Sequence, residues 1–333
     1  MKNYVRGVNL GGWLILEKWM TPAVFNGYSG EDEYTFMQND GARERIAKHR
    51  QTFITESDFK WLSEHHINLV RIPIGYWLFE PVDGFMPTIT YLDLAMKWAE
   101  KYRLNVLIDM HGAPGSQNGK DHSGKRGKAL WFTDAKYQHQ TIDLLCKIAN
   151  RYKDSEALWG IELLNEPLAV RNYFTLLRFY RHAYAELRKI VRPGTHTVFH
   201  DGFHAVMFSG ALWPRKNYPI VMDSHWYAFH PFGDNEKRYR RLLAYYRGLI
   251  LRYARLFQPV IVGEWSSVFP GRYFDQLPKQ RHDELLVKSM DSQLKMFERA
   301  DGWIYWNYKH QGGGMWNFRS LVDDKILDER YYS

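Results

Sequence analysis

The sequence predicts a (β/α)8 TIM barrel forming a single domain over residues 1–333. Three observations carry this. Short apolar runs of strand length recur along the chain, longer amphipathic stretches lie between most of them, and polar or aromatic residues gather just after the runs. A doubly wound sheet is the rival, but it rarely needs this many evenly spread strands, and no nucleotide-binding glycine fingerprint is present.

The strands are expected, in order, at Val5–Leu10, Leu69–Ile72, Asn105–Met110, Leu158–Leu163, Thr197–His200, Ile220–Ser224, Val260–Gly263 and Gly302–Trp306. Each is apolar without clean alternation, as a strand buried on both faces should be. Helices are expected near Thr55–His65, Ile89–Lys101, Asp134–Tyr152, Tyr173–Val191, Glu236–Phe257 and Arg281–Arg299. Thr55-Glu56-Ser57-Asp58 and Thr133-Asp134 supply N-caps. The run from Leu14 to Arg50 lacks a helical period and reads as a long loop over one end of the barrel. No linker or low-complexity tract divides the chain.

Composition narrows the function. The 333 residues are 45% hydrophobic, enough for a large core. Aromatics reach 16%, with 13 Trp and 22 Tyr, which suits a core and also suits sugar binding, because C–H faces of sugars stack on aromatic rings. The net charge of +8 falls largely on segments such as Lys237–Arg241 and Arg252–Arg255, where Leu242, Leu243, Leu249, Ile250 and Leu251 recur at helical spacing. That is a solvated helix face, and no phosphate loop, zinc spacing or RNA-binding signature accompanies it, so no nucleic-acid partner is expected. The single Cys146 excludes an intrachain disulfide. No apolar run is long enough to span a membrane, and no signal peptide is visible. The location expected is cytoplasmic, or periplasmic or secreted if a signal peptide has been removed.

The chemistry lies at the strand ends. Asn165-Glu166-Pro167 and Gly263-Glu264-Trp265 each place a Glu directly after an apolar run, about a hundred residues apart. Two carboxylates brought face to face are the minimum machinery for cutting a glycosidic bond. The other ends deliver Arg71, His111, His225, Tyr227 and Trp306. Glu166 is expected as the general acid, protonated near neutral pH. Glu264 is expected as the nucleophile, kept ionised by Arg71 and positioned by Tyr227. Asn165 can donate to the sugar 2-hydroxyl, His111 and His225 can bond the sugar or orient the carboxylates, and Trp306 offers a floor for the ring. Singly, an Asn-Glu-Pro is often a plain strand end and a lone His or Trp is often core. It is their agreement at six strand ends that points to a site. No metal or organic cofactor is implied. His196, His200 and His204 have helical spacing, but Pro193-Gly194 and Asp201-Gly202 break any helix there.

The set Arg71, His111, Asn165, Glu166, His225, Tyr227, Glu264 and Trp306 resembles the signature positions of glycoside hydrolase family 5, a retaining family. Longer strings are similar to its exo-β-1,3-glucanase branch: Arg6–Trp13, Leu16-Glu17, Met20-Thr21-Pro22, Asp32-Glu33-Tyr34, Arg71–Trp77, His111–Gly119 and Gly160–Pro167. The resemblance runs from Arg6 to about Leu327. It implies glucose release from the non-reducing end of β-1,3-glucans or related β-glucosides, with an endo-acting β-glucanase or a β-glucan transglycosylase as alternatives on the same fold. It further implies that Glu17 fixes the terminal glucose, that Asp121 and Trp306 contact it, that Phe229 keeps half of an aromatic clamp on the leaving sugar, and that the Trp306–Asn307 peptide is cis. Three positions depart from the branch: Lys120 stands where an aromatic is usual, His122 where Asn is usual, and Trp19 where Tyr is usual. The basic loop Lys120–Lys128 follows the third strand. It reads either as a solvated loop or as a contact for an anionic substituent on the substrate.

Overall fold

A computed structural model describes residues 4–227, 236–268 and 278–332, without side chains for 236–243. Eight parallel strands close into one barrel in sequence order: β1 (Val5–Asn9), β2 (Leu69–Gly75), β3 (Asn105–Gly112), β4 (Leu158–Glu162), β5 (His196–His200), β6 (Ile220–His225), β7 (Val260–Trp265) and β8 (Gly302–Tyr305). Closure comes from β1 against β8, with Val5 opposite Gly302 and Val8 opposite Tyr305. All eight expected strands are present. Six longer helices, at Glu56–Glu64, Ile89–Tyr102, Ala135–Tyr152, Tyr173–Leu187, Glu236–Ala254 and Lys279–Phe297, fall where the amphipathic stretches predict. The Thr55 cap closes as a reciprocal box, with Asp58 Oδ2 accepting from Thr55 N at 2.8 Å. Among the described residues no helix is long and apolar enough to cross a membrane.

The barrel interior is layered. Val5, Leu69, Leu107, Val198, Val221, Ile261 and Ile304 form one buried apolar layer, with Trp159 of β4 packed against it. Side chains alternate along a strand, so two residues further on the same inward face returns. That step leads from Leu69 to Arg71, from Leu107 to Asp109, from Val198 to His200, from Val221 to Asp223 and from Ile304 to Trp306. A dry plug at mid-barrel therefore carries a polar layer on the C-terminal side of the strands, where such barrels hold their active sites.

The Leu14–Arg50 run differs from the loop expected of it. It contains helices at Pro22–Phe25, Glu33–Phe36 and Ala42–Thr52. Periodicity misses the last because its buried apolar residues are sparse, Ala42 and Ile46, and its anchors are polar. His49 Nε2 lies 2.7 Å from the Gly12 carbonyl, and Arg50 Nη2 donates to Leu14 O at 3.0 Å and to Glu33 Oε1 at 2.7 Å. Glu33 Oε2 in turn accepts from Leu16 N at 2.8 Å. This buried ion pair thus fixes the backbone beside Glu17. Glu33→Ala leaves Arg50 charged and uncompensated, so it should cost about 3–5 kcal/mol in a denaturant titration, while replacing both residues by apolar ones of similar volume should recover most of the loss. An unchanged midpoint for Glu33→Ala would contradict this role.

Candidate active site

Arg71 organises the polar layer. Its guanidinium is wholly buried and every edge is used. Nε donates to Glu162 Oε2 at 2.7 Å, Nη1 to Asn9 Oδ1 at 3.0 Å and to Glu264 Oε1 at 2.9 Å, and Nη2 to Asn165 Oδ1 at 2.8 Å. Asp109 Oδ2 lies 3.1 Å from Nη2. An arginine can only donate, so the Asn165 contact fixes that amide with its oxygen on Arg71 and its NH2 turned away. Asn165 Nδ2 accordingly lies 3.4 Å from His111 Nε2. His111 Nδ1 is 2.6 Å from Asp109 Oδ2. Burial, reinforced by the Arg71 charge, holds His111 well below its ordinary range, so it is neutral, donates from Nδ1 to Asp109 and keeps Nε2 as an acceptor.

Glu264 and Glu166 face one another above this layer. The ladder between β6 and β7 shifts register at Ser224 and His225, which sets Glu264 opposite His225. A Cβ at Gly263 would collide with the Asp223 carboxylate, so only glycine lets these strands approach there. Glu264 Oε2 accepts from Tyr227 Oη at 2.8 Å. Glu166 has φ 43°, a left-handed backbone that costs a non-glycine residue about 1–3 kcal/mol and is characteristic of functional positions. His225 Nδ1 lies 2.8 Å from Glu166 Oε1 and 3.4 Å from Glu264 Oε2. Both carboxylates reach this one nitrogen, so the two acids face each other across a single imidazole.

The protons in this cluster are placed differently from the expectation of a protonated Glu166 and a Glu264 kept ionised by Arg71. Burial disfavours the His225 imidazolium, but Glu264, Asp223 and Glu166 around it outweigh that and raise its proton affinity well above the ordinary range. Burial likewise pushes Glu166 up, and the hydrogen bond and charge of His225 overturn it, so Glu166 is held low. Burial lifts Glu264 to about 8 against the pull of His225 and Arg71. A proton is thus favoured on His225, a single hydrogen bond from Glu166. Asp223 Oδ2, 3.3 Å from His225 Nε2, holds the far side of the ring.

The pocket above is about 270 Å³ and is lined by Glu17, Trp19, His111, His122, Asn165, Glu166, Phe203, Tyr227, Glu264, Trp306 and Trp316. Trp306 is nearly parallel to His111, with interplanar angle 11°, and its peptide to Asn307 is cis. Asn307 grips Gly11 from both sides, Oδ1 accepting from Gly11 N and Nδ2 donating to Gly11 O, each at 2.9 Å. Any Cβ at Gly11 would press on the Trp306 ring. Glu17 is buried and accepts from Trp19 Nε1 at 2.9 Å. Burial raises its proton affinity strongly, only partly offset by Trp19.

Of the residues predicted from sequence, Glu17, His111, Asn165, Glu166, Tyr227, Glu264 and Trp306 line the pocket, and Arg71 and His225 lie directly beneath. Asp121 does not line it; the neighbouring His122 does, with Nε2 3.4 Å from Glu166 Oε2. Phe229 lies outside the described residues. Lys125, Arg126 and Lys128 of the basic loop line a different cavity, of about 660 Å³, that shares no residue with this pocket. Sequence reasoning missed Phe203, on the loop after β5, Trp316, in a single 3-10 turn, and the acids Asp109, Glu162 and Asp223. The acids did leave a signal, a charged residue inside an otherwise apolar strand.

Comparison with known proteins agrees with this geometry. The cellulase domain profile of glycosyl hydrolase family 5 matches residues 31–312. The chain belongs to glycosyl hydrolase family 5. It is therefore an O-glycosyl hydrolase, and members of this family retain anomeric configuration. A probable glucan 1,3-β-glucosidase A of Emericella nidulans is 33% identical over 98% of this chain and 90% of its own length. Glucan 1,3-β-glucosidase 1 of Schizosaccharomyces pombe is 33% identical over 98% and 88%. Among solved structures, the rutinosidase of Aspergillus niger superposes with TM-score 0.81 at 20% identity, covering 98% of each chain. Endoglucanase Cel5A of Thermotoga maritima gives 0.63 at 18%, covering 99% of this chain and 97% of its own. These last two share the fold.

The charge on His225 is directly measurable. Its proton affinity is raised, so the imidazolium persists below the raised value and is lost only as pH climbs past it. Nitrogen NMR of histidine-labelled protein should show both ring nitrogens of His225 still protonated at pH 7.5. Deprotonation at or below its ordinary value, about 6.5, would contradict the arrangement.

Proposed function

We propose that this family 5 enzyme is an exo-acting β-glucosidase that releases glucose from the non-reducing end of β-1,3-glucans or related β-glucosides. The observation that carries the reading is a small pocket that sets the buried Glu17, held by Trp19, in one wall with the two carboxylates. A volume of about 270 Å³ lies near the low end of the ~300–1,000 Å³ typical of ligand sites, a size suited to one sugar unit. This favours exo over endo action. The names of the fungal relatives point to the same linkage.

In this reading Glu264 attacks the anomeric carbon from below while Glu166 protonates the leaving oxygen. A covalent glucosyl-enzyme forms, and Glu166 then acts as base on the water that releases glucose. Arg71 and Tyr227 steady the nucleophile and offset the charge it carries when free. Asn165 Nδ2, turned away from Arg71, is the donor available to the sugar 2-hydroxyl, and such a bond strengthens as positive charge develops at the anomeric carbon. Trp306 supports the ring face. His225 Nδ1 touches both carboxylates, so it can take the proton from Glu264 and give its own to Glu166, converting the resting arrangement into the reactive one without gain or loss of a proton. Lys125, Arg126 and Lys128 of the basic loop line another cavity, which supports a neutral glucoside rather than an anionic one.

Laminaritriose tests the reading. The first products should be glucose in the β configuration and laminaribiose, in equal amounts. Initial release of α-glucose, or of internal fragments from a long glucan, would contradict it.

A further inference from the structure

The two sides of this pocket differ in chemistry. The glucose side offers Glu17, Trp19 Nε1, His111 and Asn165 Nδ2, a polar set suited to hydroxyl groups. The leaving-group side is defined by Glu166, because the departing oxygen must lie within reach of the acid. Directly after Glu166 the chain carries Leu168, Val170 and Phe174, and directly after β5 it carries Phe203, Val206 and Met207. Phe174 is 82% exposed, Val170 68%, Phe203 55%, Val206 54% and Leu168 48%. Arg171 and His204 are the exposed polar side chains among them.

These two segments form one surface. Tyr173 Oη donates to Met207 O at 3.4 Å, and its ring packs against Phe208 at 5.0 Å and Phe174 at 5.3 Å. A Cβ at Gly202 would collide with Ala169, so the loops are in contact at their bases. Phe203 connects this surface to the reaction. Its φ of 65° is a strained left-handed conformation for an aromatic residue, secured where Phe203 N donates to Asp201 Oδ1 at 2.7 Å. Its ring meets His200 edge-on at 5.2 Å and lines the pocket. Exposed apolar residues therefore extend from Phe203 beside the acid across the two touching segments to Phe174, with Arg171 and His204 among them.

We propose that this surface is the seat of an apolar aglycone, alkyl or aryl, so that the preferred substrates are β-glucosides of hydrophobic alcohols rather than β-linked disaccharides. The inference rests on the β-glucosidase reading above. A contiguous apolar patch at a pocket mouth is costly to leave in water and marks a binding surface. None of its six residues has a side-chain hydrogen-bonding group to offer a second sugar.

The test is a series of alkyl β-glucosides from methyl to octyl, kept below micelle-forming concentrations, with laminaribiose alongside. kcat/KM should rise about two- to fourfold per methylene until the platform is covered, and octyl glucoside should exceed laminaribiose. Leu168→Ser combined with Val206→Ser, both exposed and outside the pocket lining, should flatten the series at least tenfold at its octyl end and leave methyl glucoside within twofold. A flat series in the wild type, or an equal loss on all substrates in the variant, would overturn the proposal while leaving the β-glucosidase reading intact. Failure to cleave any β-glucoside would overturn both.

Discussion

A single buried guanidinium sets this active site. Arg71 lies in the inward layer above the apolar plug and bonds Glu162, Asn9, Asn165 and Glu264, with Asp109 3.1 Å away. A charge so far from water is tolerable only when paired. The pairing also ties down groups from β1, β2, β3, β4 and β7 and the loop after β4. Burial pushes Asp109 up to about 7 and Glu162 to about 8 even beside Arg71. The layer is thus crowded with acid, and neutral pH leaves part of it protonated. The consequence for chemistry is orientation. Asn165 is turned so that its NH2 faces away from Arg71 toward His111, and Glu264 is held by donors on both oxygens.

The second constraint is proton placement. Two buried carboxylates this close disfavour holding two charges. His225 relieves the conflict, because one imidazole nitrogen reaches both and Asp223 anchors its far side. The acid need not store its own proton. This differs from a site where burial alone keeps the acid protonated, and it gives a physical reason for a histidine at this strand end.

Much of this was legible in the sequence. The eight strands showed as apolar runs because each is buried on both faces, and Glu166 and Glu264 showed because a charged residue ending such a run has few structural excuses. Glu17 was legible only through family resemblance, since nothing local distinguishes it from any acidic loop residue. The Ala42–Thr52 helix was not legible, because His49 and Arg50 anchor it by polar contacts that no hydrophobic period records. The protonation of His225 was not legible either. It depends on Asp223 two residues away on the same strand and on Glu166 and Glu264, which are distant in sequence and reach the ring only in the closed barrel. The apolar surface beyond Phe203 arises from two loops in contact, a pairing that single-sequence patterns do not encode.

The central claim is that Glu264 forms the covalent bond to glucose. Treating the enzyme with a 2-deoxy-2-fluoroglucosyl fluoride and mapping the adduct by peptide mass spectrometry tests it most directly. One fluoroglucosyl group should be found per chain, on the peptide carrying Glu264, and its formation should abolish activity until an acceptor releases it. An adduct on Glu166, or inactivation with no covalent adduct, would contradict the account.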